Sequence, residues 1–166
     1  MKKTLMKRPN PFLYLLLSGL ASLYVRLAKN HRMEGRECLR DLPRGPLLIV
    51  GNHTSFYDFL YMIRALYPRR INFVVAAKYF RFPGMLPIVL GLCQAIPKNL
   101  FKADIRTVAR CTQIIHKGGI VGIYPEGQIS TSGITLPLPE GLGKLAKHLH
   151  VGVVAVTTKG ASFVDP

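Results

Sequence analysis

Four short stretches of this chain are almost continuously apolar: Leu47–Gly51, Ile71–Ala76, Ile120–Tyr124 and Val151–Thr157. Turn residues bound them, such as Pro43-Arg-Gly-Pro46 before the first and Gly118-Gly119 before the third. Short apolar runs between turn signals predict buried strands. Between the strands the apolar residues recur at helical spacing. Ile105, Val108, Ala109, Thr112 and Ile115 predict a helix over 104–117, stopped by the glycine pair. Ser55 to Tyr67 reads as a helix that Pro68 ends, and Gly141 to His148 as another. The Pro/Gly-punctuated stretch Phe82–Pro87 leads through a short helical segment to Gly91 and a weak strand near Cys93–Ile96. Strands that are apolar throughout and alternate with helices imply an α/β fold, a mostly parallel sheet covered by helices on both faces. Ligands of such sheets bind beyond the carboxyl ends of the strands, which directs attention to the residues just after Val50 and Tyr124.

The N-terminal segment has a different pattern. Lys2, Lys3, Lys7 and Arg8 precede an uncharged, mostly apolar run from Phe12 to Val25, after which Arg26 and Lys29 restore the charge. Asn10 followed by Pro11 makes a good helix start. The run has 14 residues, whereas a spanning helix needs roughly 20. A signal peptide, a short spanning helix and a helix lying in the membrane interface all begin this way. No small-residue cleavage site follows, and basic residues at both ends with Tyr14 and Tyr24 favour the interfacial helix. The bland alternative is a helix that packs on the domain itself. Residues 1–30 are accordingly read as a membrane anchor and 31–166 as the functional domain.

Composition sharpens this picture. The chain of 166 residues carries 23 Lys+Arg against 8 Asp+Glu, a formal charge of +15, yet 49% of its residues are hydrophobic. That apolar content excludes disorder, and the length suits one domain with a real core. The charge is spread, with 10 basic and 3 acidic residues in 1–44 and 13 and 5 in 45–166. A basic, apolar chain seeks an anionic partner, either nucleic acid or a membrane surface. There is no Trp, no zinc spacing and no aromatic-rich ribonucleoprotein motif, so nucleic acid is not expected. Three scattered cysteines (Cys38, Cys93, Cys111) give no disulfide framework and suit a reducing compartment.

The chemistry sits where the strands end. After the first strand come Asn52-His53-Thr54-Ser55-Phe56-Tyr57-Asp58. A histidine at a strand tip and a carboxylate one turn into the next helix can pair, the carboxylate fixing the imidazole tautomer for proton transfer. Ser55-x-x-Asp58 is also a capping-box pattern, and the two readings are compatible. After the third strand, Tyr124-Pro125-Glu126-Gly127 exposes a carboxylate beside a glycine, which is also what an ordinary turn looks like. His53 lacks a ligand-spaced partner and His148-x-His150 stands far along the chain, so no metal is expected. Gly141-Leu-Gly143 is preceded by Pro137 and Pro139 instead of a strand, so it is no dinucleotide fingerprint. No nucleophile elbow is present.

Taken in order, these segments resemble the glycerolipid acyltransferases, the family of 1-acylglycerol-3-phosphate acyltransferases. Asn52-His53-x4-Asp58 matches the family's His-x4-Asp motif. Lys78 lies in the Ala-Lys segment, and Gly91–Lys98 resembles the second motif, which usually ends in Arg. Tyr124–Ser130 resembles Phe-Pro-Glu-Gly-Thr-Arg-Ser, and Glu140–Ala146 with Val151–Gly160 resembles the last motif. The resemblance implies transfer of a fatty acyl group from acyl-CoA or acyl-carrier protein to a glycerolipid hydroxyl, in phospholipid biosynthesis or remodelling. The acceptor would be 1-acylglycerol-3-phosphate or another lysophospholipid, with no cofactor. It implies His53 as general base, Asp58 as its orienting partner, and Lys98, Glu126 and Gly127 as acceptor-binding residues. It also implies a membrane-associated enzyme whose active site faces the cytoplasm.

Two departures temper the expectation. Gln128-Ile129 stands where the family has Thr-Arg, and Lys98 where it has Arg. Losing a guanidinium removes a bidentate phosphate grip that a point charge replaces only in part. This opens the acceptor to other lysophospholipids, and motivates the alternative of a catalytically weak lipid-binding relative. The family pattern also continues with further strands, so the C-terminal part of the family fold is expected to be missing from this chain.

Overall fold

The computed structural model describes residues 11–28, 32–100, 104–130, 132–135 and 137–161. Five strands, β1 (Leu47–Gly51), β2 (Ile71–Ala76), β3 (Ile96–Lys98), β4 (Ile120–Ile123) and β5 (Gly152–Val156), form one sheet in the order β3-β2-β4-β1-β5. Every neighbouring pair is parallel. Six helices accompany them: α1 (Pro11–Ala28), α2 (Arg36–Arg40), α3 (Asp58–Leu66), α4 (Leu86–Leu92), α5 (Ile105–His116) and α6 (Gly141–Leu149). A 3₁₀ turn, Ala77–Arg81, succeeds β2.

Strand periodicity divides the core in two. Leu47, Ile49, Ile71, Phe73 and Ile120 face Met62, Ile63 and Leu66 of α3. The alternate positions Leu48, Val121 and Ile123, with Ile96, face Cys111 and Ile115 of α5 and Leu149 of α6. Burying each such aliphatic side chain contributes about 1.5–3 kcal/mol, and both faces must be covered because neither is polar. The handedness of the connections decides which helix covers which face. β1 runs to β2 in one direction along the sheet, whereas β3 to β4 and β4 to β5 run in the other. Right-handed crossovers therefore place α3 on one side and α5 and α6 on the opposite side.

The helix expected over 104–117 forms with Asp104 as its N-cap, its carboxylate accepting from the Arg106 and Thr107 amides. Two boundaries differ from expectation. The third strand lies at Ile96–Lys98 rather than at Cys93–Ile96, because α4 runs to Leu92 and Gln94 turns the chain with a positive φ of 50°. The helix after β1 begins at Asp58 rather than Ser55, since the intervening residues form a tight turn in which the Asp58 amide donates to the Ser55 carbonyl.

The N-terminal segment is described over 11–28 and forms α1, which lies on α3. Tyr14, Ser18 and Val25 are buried, and the Tyr14 hydroxyl accepts a hydrogen bond from the amide of Ile71, the first residue of β2. The other face keeps Phe12, Leu16, Leu20, Leu23 and Leu27 exposed. Among the described residues, no helix is long and apolar enough to cross a membrane. Cys38, Cys93 and Cys111 are all free thiols, and burial pushes that of Cys111 up to about 11.

Packing between β2 and β4 is tight at Gly122. A Cβ built there would lie 2.7 Å from Ile71 Cγ2 and 2.9 Å from Phe73 Cδ1. Gly122→Ala is expected to lower the unfolding free energy by about 1–3 kcal/mol, since overpacking a filled core forces its neighbours off their rotamers. Urea unfolding of the two proteins measures this.

Candidate active site

β1 and β4 are adjacent, and the chain leaves their carboxyl ends toward opposite faces of the sheet, to α3 and to α6. A crevice opens at such a point, and open α/β sheets bind ligands there. The two segments singled out in the sequence meet in this crevice.

Asp58 is 1% exposed and its Oδ2 atom organises the loop before it. That one oxygen accepts from the amides of Thr54 at 2.7 Å and Ser55 at 2.9 Å, and lies 3.0 Å from Nδ1 of His53. The Ser55 hydroxyl accepts from the Tyr57 amide at 3.0 Å. Asp58 is the first residue of α3 and follows Tyr57, an N-cap without a side-chain cap bond, so Ser55 is not the N-cap that the capping-box pattern predicts; of that pattern only the bond from the Ser55 amide to the Asp58 carboxylate forms. With Asp58 accepting, the proton of a neutral imidazole sits on Nδ1 and Nε2 carries the free lone pair. The His53 side chain retains 22% exposure.

Glu126 reaches into the same loop. Its Oε1 accepts from the His53 amide at 2.9 Å, and the Ser130 amide donates to the His53 carbonyl at 2.7 Å. The turn between them needs Gly127, whose φ is 72° and whose amide donates to the Tyr124 carbonyl at 3.2 Å. The structure thus brings His53, Asp58, Glu126 and Gly127 together. Lys98 stands apart, on the edge strand β3, beside a cleft of about 510 Å³ lined also by Ala76, Ala77, Lys78, Asn99 and Leu100. Leu100 links that cleft to the turn, since its Cδ2 would lie 3.8 Å from a Cβ on Gly127.

Four residues of this region were not singled out as site residues from the sequence. The Tyr124 ring stacks on His53 with centroids 4.6 Å apart and planes 22° apart, and lies parallel to the Phe73 ring with centroids 6.2 Å apart. Its hydroxyl is buried without a partner, and burial, with the Asp58 carboxylate adding in the same direction, holds it well above the usual phenol range. Gly51 admits this ring, because a Cβ there would lie 2.7 Å from Tyr124 Cε1. Asn52 ties the crevice to the segment after β5: its Nδ2 donates to the Thr158 carbonyl at 2.9 Å, and its Oδ1 accepts from the Thr158 amide at 2.8 Å. Lys78 adds a second cation to the Lys98 cleft. Aromatic identity at 124 and the asparagine beside His53 are visible in the sequence, but their partners lie far along the chain. Among the described residues, no group of three His, Cys, Asp or Glu side chains is placed to hold a metal ion.

Comparison with known proteins agrees with this architecture. A family model described as acyltransferase matches residues 30–159. The chain is 26% identical over 132 residues to the chloroplastic 1-acyl-sn-glycerol-3-phosphate acyltransferase BAT2 of Brassica napus, covering 77% of this chain and 38% of that protein. It is 27% identical over 115 residues to the 1-acyl-sn-glycerol-3-phosphate acyltransferase of Borreliella burgdorferi, covering 67% and 44%. The chain therefore spans less than half the length of these curated relatives. The 1-acyl-sn-glycerophosphate (LPA) acyltransferase PlsC of Thermotoga maritima has the same fold, with a TM-score of 0.53 at 15% identity over 87% of this chain and 73% of that one.

Because the buried Oδ2 of Asp58 serves two amides and an imidazole, its removal leaves three donors without their acceptor. Asp58→Ala is expected to cost about 2–4 kcal/mol of stability, from the loss of charge-assisted bonds to buried donors. His53→Ala, which leaves both amide bonds in place, should cost clearly less. Thermal or urea unfolding of the pair separates the two roles.

Proposed function

The chain belongs to the acyltransferase family, and from that premise we propose that it moves a fatty acyl group from a thioester donor, CoA or acyl-carrier protein, to a hydroxyl of a lysophospholipid at a membrane surface. The single observation that carries the reading is the His53 Nδ1 to Asp58 Oδ2 contact of 3.0 Å at the carboxyl end of a central strand. Curated relatives named 1-acyl-sn-glycerol-3-phosphate acyltransferases support the same substrate class.

In this mechanism Nε2 of His53 takes the proton of the acceptor hydroxyl while Asp58 stabilises the imidazolium that forms. The acceptor oxygen attacks the thioester carbonyl, forming the ester C–O bond. Collapse of the tetrahedral adduct breaks the C–S bond, and the leaving thiolate takes the proton back from the imidazolium. No enzyme nucleophile is needed. Tyr124 keeps the imidazole plane fixed through the stack, and Glu126 holds the His53 main chain beside the acceptor. Gly127 lets the acceptor approach that turn closely.

The acceptor headgroup binds in the cleft of Lys78 and Lys98, whose charges suit a phosphate. Both are ammonium groups and act as point charges, so they grip a phosphate with less geometric selectivity than guanidinium groups. That favours a phosphate-bearing lysophospholipid without restricting the rest of the headgroup. The exposed stripe of α1, Phe12 to Leu27, inserts shallowly into the bilayer, with the site facing the cytoplasm. A second reading, a catalytically weak lipid-binding relative, rests on Gln128-Ile129 standing in place of the family's Thr-Arg.

His53→Ala is expected to reduce acyl transfer from labelled acyl-CoA at least about 100-fold, the scale of a lost general base; unchanged turnover in a panel of lysophospholipids would refute the mechanism. A parent protein without detectable single-turnover transfer would favour the lipid-binding reading. Lys78→Ala combined with Lys98→Ala should raise KM for a phosphate-bearing acceptor about tenfold or more while leaving KM for the acyl donor in place, as loss of charge-assisted phosphate contacts requires.

A further inference from the structure

α1 and the α5–α6 pair, on opposite sides of the sheet, differ in the chemistry that they expose. On the α3 side, α1 presents its apolar stripe. On the other side α5 and α6 lie next to each other, the Thr112 hydroxyl meeting His148 Nε2 at 3.4 Å. Their inward stripe, Thr107, Cys111, Ile115 and Leu149, goes to the core. The outward positions are basic. Residues 105–117 and 141–150 contain Arg106, Arg110, Lys117, Lys144 and Lys147 and no acidic residue. Arg106, Lys117, Lys144 and Lys147 are exposed.

Helix stability accounts for only part of this placement. Lys117 and Lys147 lie at helix C-terminal ends, where the dipole favours cations, but Arg106 and Lys144 stand in first turns, where it opposes them. An acidic N-cap precedes each first turn, Asp104 and Glu140, and residues 104–117 and 140–150 together hold five basic side chains against these two acids. The excess of basic over acidic side chains on these two helices leaves an exposed positive face that is open to a partner.

A bilayer is not the partner of this side. α1 and the α5–α6 pair are separated by the thickness of the sheet and α3, so a flat membrane that engages the apolar stripe leaves the basic side facing the aqueous phase. The first turn of α5 also adjoins the Lys98 cleft. Asn99, which lines that cleft, donates to Asp104 Oδ2 through its amide and through Nδ2, each at 3.0 Å, and Asp104 caps α5. A macromolecule bound across the first turns of α5 and α6 therefore sits at the rim of the crevice that holds His53.

We propose that the outward face of α5 and α6 is the docking surface for a soluble acidic protein that carries the acyl thioester. The inference rests on the acyl-transfer reading above and selects the carrier-borne donor within it. Complementary charge steers the carrier to the surface, and the thioester arm then reaches the crevice from its rim.

The test uses the full chain with Arg106→Glu, Lys144→Glu and Lys147→Glu combined, three exposed positions outside the proposed acyl-transfer machinery. Steady-state transfer is measured from one fatty acyl group presented on an acyl-carrier protein and on CoA. The expected result is a rise of about tenfold or more in KM for the carrier thioester, with CoA kinetics within about twofold and the parent's salt dependence abolished, as for a steered charged encounter. Equal losses with both donors, or no change with the carrier, would overturn the proposal. So would loss of sedimentation with anionic phosphatidylglycerol vesicles at unchanged carrier kinetics, which would assign the face to the bilayer. If neither donor is used, the acyl-transfer reading fails on its own. Anisotropy of a fluorescent acyl-carrier protein then decides the surface: salt-sensitive binding lost in the variant supports it, and equal binding by both proteins overturns it.

Discussion

One buried oxygen organises the centre of this molecule. Oδ2 of Asp58 takes hydrogen bonds from two consecutive amides and lies against the imidazole of His53. A carboxylate taken out of water must be satisfied by donors, and here the donors come from the strand-to-helix turn itself. The same bonds that stabilise the charge shape the turn, start α3 and orient the histidine. Stability and chemistry are therefore coupled at one atom. Glu126 repeats the device from the neighbouring strand by holding the His53 amide.

The position of that loop is set by the topology. β1 lies between β4 and β5, with its crossover leaving on one side of the sheet and that of β4 on the other. The crevice between their ends is left uncovered by any crossover helix. Tyr124, the first residue after β4, closes its floor by stacking on His53 and lying parallel to Phe73, and Gly51 provides the space for that ring. Asn52 and Thr158 then bind the far edge strand's exit to the same loop.

The helices on the two sides of the sheet expose different chemistry. An apolar stripe lies on α1, beyond α3, and exposed basic side chains lie on α5 and α6 across the sheet. A sheet with both faces apolar needs helices on both sides, and each helix layer is free to carry its own chemistry on its outer surface. Lys78, just after β2, and Lys98, at the end of β3, form a second basic site in the cleft between them.

The apolar runs specified strands, and the 3.6-residue spacing of Ile105, Val108, Thr112 and Ile115 specified α5, because burial patterns are local and periodic. The spacing of His53 and Asp58 was equally legible, since both belong to one short strand-to-helix turn. The start of α3 and the register of β3 were less so, because tight turns at Ser55 and Gln94 depend on hydrogen bonds that residue type alone does not reveal. Tertiary structure alone decided that Glu126 holds the His53 amide, that Tyr124 stacks on the imidazole, and that Lys78 joins Lys98. It also decided that α1 packs on α3 through Tyr14 and Val25 while exposing its other face. Each of these contacts joins segments far apart in the chain, and only the strand order and the handedness of the crossovers bring them within bonding distance.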